Sequence, residues 1–208
     1  MGIVENKTQE PQKIDRLDLE KYGLSYLKDR NVLDLTSSDM EKLLNALGND
    51  DISLNVPLPF ISRNIRELLS QSECRRCGKC CLPNSMNPGS PGVEVFEDEL
   101  ESIARHLDLP YETLKEKTRS GQNSDAYWPL SDIISTRLLP LPCPFYVEKT
   151  NVCQVYQVRP RVCVIYPIVS AGDDNSFSIK INCEYGKEIA ISALRLLKRN
   201  NPGLVLKI

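Results

Sequence analysis

Four of the chain's eight cysteines fall within eight residues, Cys74-Arg75-Arg76-Cys77-Gly78-Lys79-Cys80-Cys81. No other feature limits the fold so strongly. A C-x-x-C turn brings two sulfurs within reach of one metal, and thiolate is a soft, strongly binding ligand for zinc and for iron-sulfur clusters. Four cysteines at this density are poorly explained as small apolar side chains filling a core. The rest of the chain is therefore read as a frame that closes and shields this run.

Size does not demand cross-links. With 208 residues, 41% hydrophobic and 26% charged, the chain can bury a core of ordinary size, so the cysteines need another reason to be present. The net charge of -2 supplies no field that would recruit nucleic acid or an anionic membrane. The first dozen residues are polar, with no apolar leader segment, and no apolar run approaches the ~20 residues of a spanning helix. These features predict a cytoplasmic protein with no membrane and no nucleic-acid partner. In that reducing compartment thiols stay free, which favours metal ligation over disulfides.

The predicted fold class is α+β and mainly helical: a metal-stapled cysteine-cluster domain with long loops and few short strands, preceded by a helical N-terminal arm. The expected boundaries are a disordered tail over 1–13, the arm over 14–72, the cysteine-cluster domain over 73–200 and a C-terminal tail over 201–208. Ile14 to Leu35 carries a loose helical pattern broken by Gly23. Ser38 and Glu41 have capping-box spacing ahead of Leu43, Leu44 and Leu47. Ile61, Ile65, Leu68 and Leu69 predict a helix leading to Cys74, and Phe96, Leu100, Ile103 and Leu107 predict another. A short helix is expected from Tyr111 to Arg119, a strand at Val93–Val95, a strand at Phe177–Ile181 and a last helix from Glu188 to Arg199. The turn-forming stretch from Pro83 to Gly92 predicts a loop, and Asp173-Asp174 a solvated hairpin tip.

The remaining cysteines are Cys143, Cys153, Cys163 and Cys183, with nine residues between the first two and nine between the next two. Such spacing suits a looped path that returns distant sulfurs to one place. Pro142 and Pro144 stiffen the chain around Cys143, and Pro160 can open a helical turn carrying Cys163 that Pro167 then ends. Together with Cys153-x-x-Tyr156-x-x-Arg159-Pro160-x-x-Cys163 and Tyr166-Pro167, this pattern resembles the YkgJ-type cysteine-cluster family, the C-x-x-C-x-x-C-C zinc- or iron-chelating domain, over roughly Cys74 to Cys183. Val164 departs from the basic residue that often follows the Cys163 equivalent. The resemblance implies metal binding by all eight cysteines. A flagellin lysine methylase carries a related domain with an iron-sulfur cluster, yet the resemblance speaks for metal far more than for methyl transfer.

Charge points the same way without the family. Four thiolates around zinc or an oxidised four-iron cluster leave a net charge of about -2, which needs cations or oriented amides nearby. Arg75, Arg76 and Lys79 lie inside the run, and Arg159 and Arg161 flank Cys163. Tyr156 and Tyr166, with Phe145, Tyr146, Val155 and Ile165, are candidates for a shell that excludes water. Eight thiols permit two zincs, one four-iron cluster with thiols to spare, or two clusters. Spacing favours iron, as a 4Fe-4S cluster, with zinc the alternative. Cys74-x-x-Cys77-x-x-Cys80 matches the three-cysteine run of bacterial ferredoxins, and Cys143-Pro144 offers a remote ligand followed by proline. Cys74, Cys77, Cys80 and Cys143 are thus expected among the primary ligands.

The expected role is electron transfer, cluster delivery or sensing. The alternatives are a zinc-stabilised interaction protein, and an enzyme, methyltransferase-like or oxidoreductase, that uses the cluster as cofactor or scaffold. Ordinary catalytic sets are scarce: the single histidine, His106, has no partner for a triad, and no phosphate-binding glycine loop occurs. No catalytic residue is nominated. The N-terminal arm is the expected docking surface for a protein partner.

Overall fold

The structure is a computed structural model that describes residues 12–13, 17–82, 92–120, 136–171 and 175–208. The expected tail, the Pro83–Gly92 loop up to residue 91, and the Asp173-Asp174 tip lie outside the described residues, apart from Gln12 and Lys13. The architecture is mixed α+β, with small, mostly antiparallel sheets. In chain order it comprises β1 (Gln12–Lys13), α1 (Ser37–Asn49), β2 (Leu54–Val56), α2 (Ser62–Leu69), β3 (Val93–Phe96), α3 (Glu97–His106), α4 (Tyr111–Glu116), β4 (Arg119–Ser120), β5 (Thr136–Leu139), β6 (Tyr146–Val147), β7 (Val152–Cys153), α5 (Arg161–Ile165), β8 (Ile168–Ser170), β9 (Phe177–Ile179), α6 (Glu184–Asn200) and β10 (Leu206–Lys207).

The strands are too short to form a dominant layer. β9 pairs antiparallel with both β2 and β8, β5 pairs antiparallel with β3 and β4, and β6 with β7 makes a hairpin in which Tyr146 faces Cys153. β1 runs parallel to β10.

Among the described residues, apolar side chains gather in two cores rather than one. The first joins α1 (Leu43, Leu44, Leu47), α2 (Ile65, Leu68), the β2-β9-β8 sheet and the inner face of α6. Leu24, Leu27 and Val32 of the arm are buried in that same core. The second is smaller: Val93 and Val95 of β3, Leu100 and Ile103 of α3, Leu114 of α4, Leu139, Phe145 and Val155. This division sets where the cysteines meet.

Several local expectations are corrected. Across the described part of Ile14–Leu35 the chain forms two short 3-10 turns, Ser25–Leu27 and Val32–Asp34, instead of an α-helix. Gly23 at φ +65° bends the chain there. α1 starts earlier than Ser38 suggests: Thr36 Oγ1 accepts from the Asp39 amide at 3.1 Å and its hydroxyl donates to Asp39 at 2.8 Å. Both Thr36-x-x-Asp39 and Ser38-x-x-Glu41 have capping spacing, and Tyr26, whose hydroxyl donates to Asp39 at 2.7 Å, adds a tertiary partner to the earlier one. α6 also starts earlier, at Glu184. Gly186 interrupts the apolar pattern, but a Cβ at that position would lie 2.0 Å from the Lys180 carbonyl oxygen, so glycine is what lets the helix begin against the preceding strand segment.

Candidate metal centre

The Cys74–Cys81 run is irregular until a single 3-10 turn at Lys79–Cys81. Two of its residues, Arg76 at φ +54° and Gly78 at φ +73°, occupy the left-handed region. That conformation turns amides inward: the Arg76 N–H donates to Cys74 Sγ at 3.4 Å, and the Lys79 amide donates toward the Cys77 sulfur. Successive amides aimed at one concavity favour an anion. Gly78 is required for a second reason, since a Cβ there would fall 1.8 Å from the Tyr146 hydroxyl. Tyr146 lies across the turn, held by its hydroxyl's bond to Asn151 Oδ1 at 2.7 Å.

The distant cysteines return to this run by identifiable means. Cys143 N–H donates to the Cys81 carbonyl at 2.8 Å, fastening the two segments backbone to backbone. Cys153 is delivered by the β6-β7 hairpin, whose Phe145 carbonyl accepts from Gln154 N–H at 2.9 Å. Cys163 rides on α5, whose first amide, that of Arg161, donates to the buried Glu99 of α3 at 2.8 Å. Cys183 caps α6, its sulfur accepting from Gly186 N–H at 3.3 Å. All eight cysteines are free thiols and line one cavity of about 70 Å³. One water requires ~10–15 Å³, so the space accommodates a body larger than a single small ion.

The thiols interact in pairs and threes. Cys80 Sγ and Cys81 Sγ lie 3.9 Å apart. A hydrogen bond from the Cys183 thiol lowers Cys77 to about 6, while Cys183 itself is pushed up. Cys81 shares hydrogen bonding with Cys143 and Cys80, which lowers Cys143 to about 7, lowers Cys80 and raises Cys81. Burial raises Cys153 and, more strongly, Cys163. Three of the eight thiols, Cys77, Cys80 and Cys143, are thus shifted toward thiolate before any metal is considered. Among the described residues, no three Cys, His, Asp or Glu side chains stand as ready ligands about one point.

The charged and aromatic neighbours divide. Arg75, Arg76, Arg159, Tyr156 and Tyr166 line the cavity. Arg76 and Arg159 both lie over the Tyr156 ring, at 4.2 and 4.0 Å from its centroid. Arg75 reaches outward to Glu188 at 2.6 Å. Lys79 donates its ammonium to the Asn182 carbonyl outside the lining. Arg161 is not in the lining either: it pairs with Asp98 at 2.7 Å and Glu99 at 3.3 Å, because α5 is docked on α3. Tyr166 is buried, with its hydroxyl on Asn182 Oδ1 at 3.0 Å, and burial raises its pKa. Tyr185 also lines the site, and burial pushes it up to about 12. It was not singled out from the sequence, where it reads only as an aromatic two residues past Cys183. Among the described residues, Arg159 Nε and Nη1 are buried with no hydrogen-bond acceptor.

A family model, CxxCxxCC, Putative zinc- or iron-chelating domain, matches residues 73–185. The chain belongs to this family. No curated protein and no solved structure matches it. The CxxCxxCC segment takes in all eight cysteines, the whole second core and the start of α6. Leu17–Leu69, most of the first core's partners for α6, lies before it. Among the described residues, no helix is long and apolar enough to cross a membrane.

The residues present suit a cysteine-held centre. The lining supplies eight sulfurs and no histidine, amides directed at sulfur, and a half-buried guanidinium two of whose nitrogens are buried with no acceptor among the described residues. A buried donor left unsatisfied costs ~1–3 kcal/mol, and an anionic metal-thiolate centre would supply acceptor and counter-charge.

Proposed function

We propose that the chain holds an iron-sulfur centre, of the 4Fe-4S type, through cysteine thiolates of this cavity, and that it serves electron transfer or cluster delivery. The observation that carries the reading is the pair of unpartnered buried donors of Arg159 in a cavity lined by thiols. The cluster would supply reversible one-electron chemistry. The chain's own groups then do the rest: amides of the Cys74–Cys81 run and the Arg159 fork stabilise negative charge on sulfur, while Tyr146, Tyr156 and Tyr166 limit water. Iron is preferred because the Cys74-x-x-Cys77-x-x-Cys80 run has ferredoxin spacing and because the cavity exceeds the need of one ion. Cys77 is exposed, giving an electron or cluster acceptor one accessible ligand. The protein is expected to stay in a reducing, cytoplasmic setting, with the segment before Cys74 available to a protein partner.

Anaerobic purification followed by metal and acid-labile sulfide analysis, with absorption and paramagnetic resonance spectra, tests this. Iron and sulfide in equal amounts with a reducible brown chromophore is the expected result. Colourless protein carrying stoichiometric zinc would replace iron by zinc and remove the redox role. Protein that takes up neither metal would overturn the reading altogether.

A further inference from the structure

The cavity's eight thiols belong to two different cores. Cys183 is buried in the first core, and Cys74 and Cys80 pack against it. Cys143, Cys153 and Cys163 pack against the second. The two remaining thiols are assigned by their place in the chain: Cys77 lies between Cys74 and Cys80 in the same C-x-x-C-x-x-C run, whereas the Cys81 carbonyl accepts the Cys143 amide at 2.8 Å. Packing and chain connectivity therefore sort the thiols into two fours, with the Cys80–Cys81 sulfur contact at 3.9 Å crossing between them.

We propose that the cavity holds two metal centres, one on Cys74, Cys77, Cys80 and Cys183 and the other on Cys81, Cys143, Cys153 and Cys163. This deepens the reading above and rests on it for the presence of metal. It replaces the simpler set of local run plus Cys143 that spacing alone suggested. The division follows a known economy of two-cluster ferredoxins, in which three closely spaced cysteines serve one centre while the next cysteine of the run serves the other. Cys80 and Cys81, with sulfurs 3.9 Å apart, mark the junction where the centres stand back to back.

The centres differ in access. The first includes the exposed Cys77, whose carbonyl accepts from the Tyr146 hydroxyl at 3.5 Å. The second lies against the buried Phe145 and Val155 and the α5 turn. The first centre is therefore the one that exchanges with solvent and partners, and the second is structural.

Cadmium is a suitable probe, because it takes tetrahedral thiolate sites, absorbs through charge transfer and is visible by NMR. Metal-free, reduced, full-length protein titrated with Cd²⁺ under anaerobic conditions should saturate at about two equivalents, with two distinct ¹¹³Cd resonances. A soluble chelator should remove one of them first. Cys74→Ser and Cys183→Ser should each abolish that labile resonance and spare the other. Cys153→Ser and Cys163→Ser should abolish the slower one, and the Cys80→Ser and Cys81→Ser pair should separate between them. Wild-type saturation at one equivalent, or a single resonance, overturns the two-centre proposal and needs no variant to fold. So does loss of the same resonance in Cys74→Ser and Cys153→Ser. Failure of wild-type protein to bind Cd²⁺ at all would instead refute cysteine-held metal in this cavity.

Discussion

Replacing Arg159 by methionine should have opposite effects on the metal-free and metal-loaded protein. Methionine keeps an unbranched apolar stem of similar reach and removes the charge. In the metal-free protein Nε and Nη1 are buried without an acceptor among the described residues, and a buried unsatisfied donor costs ~1–3 kcal/mol. Against this stands the loss of stacking on Tyr156, whose ring centroid lies 4.0 Å from the guanidinium carbon, worth ~0.5–2 kcal/mol. Arg159 as a whole is half-buried, so the lower part of the donor range applies to each nitrogen. The metal-free variant should then be more stable by up to about 1.5 kcal/mol, or up to roughly 6 °C in Tm for a chain of this size. In the loaded protein the same substitution removes charge-assisted bonds to an anionic centre, at ~1.5–3 kcal/mol, so metal affinity should fall about 10–100-fold.

Anaerobic urea unfolding of both forms, with chelator competition for the loaded one, measures the two limbs of this cycle. Arg159→Lys keeps the charge without the planar fork and should fall between wild type and methionine. A metal-free Arg159→Met protein that is less stable than wild type, with unchanged metal affinity, would refute the argument. Arg159 would then be a stacking partner of Tyr156 and nothing more.

Gly78→Ala places a side chain in a left-handed conformation, costing ~1–2 kcal/mol, and drives its Cβ into Tyr146; loss of stability and faster release of metal to a chelator are expected, and an unaltered urea midpoint would contradict the close contact. Asp50 is held below the ordinary carboxylate range by the Lys21 ammonium at 2.5 Å and the Tyr22 hydroxyl at 2.6 Å. Its contribution is therefore present above the unfolded carboxyl's pKa and lost as pH falls through the lower folded value: Asp50→Asn should lower Tm at neutral pH, with the gap from wild type closing in acid, and a gap independent of pH would count against the pairing. Removing metal should expose the Cys143–Cys163 segment to protease first while α1, α2 and α6 stay protected, because that segment has only two-residue strands and single helical turns of its own; cleavage beginning in α6 would reverse that order.

What could be read in the sequence follows from how far each signal reaches along the chain. α2 and α3 were legible because Ile65 and Leu68, or Leu100 and Ile103, repeat at helical spacing and each faces a core. β3 and β9 were legible by alternation. β2 and β8 were not: three-residue strands such as Leu54–Val56 offer too few positions to show a period, and they exist because β9 pairs with them on both sides. The N-terminal half of the arm misled for a related reason. Leu24 and Leu27 do share a face, but a 3-10 turn at Ser25–Leu27 meets that spacing as well as an α-helix does. At the site, the cysteines, Arg76, Arg159, Tyr156 and Tyr166 could be named from motif and charge. The outward turn of Arg161 could not, since it depends on Glu99, sixty-two residues away. Nor could the contact between Gly78 and Tyr146, which joins two segments whose separation in sequence carries no periodic signal.

The division into two cores explains why a chain large enough to bury one should depend on thiols. α5 crosses between them: Cys163 and Val162 pack toward the second core, while Ile165 and Tyr166, one turn further on, are buried in the first. The seam on either side of this crossing holds sulfur, a half-buried guanidinium and tyrosine hydroxyls, none of which adheres to its neighbours as packed hydrocarbon does. Van der Waals contact and area burial are therefore weakest along that line. Metal-thiolate bonds of the proposed centres would act there instead, and the cysteines stand on both sides of it, with Cys74, Cys80 and Cys183 on one bank and Cys143, Cys153 and Cys163 on the other. A centre held this way would do more than occupy a finished fold: its loss would free the smaller core to move against the larger, and any electron or metal passed through Cys77 would reach the joint on which that arrangement depends.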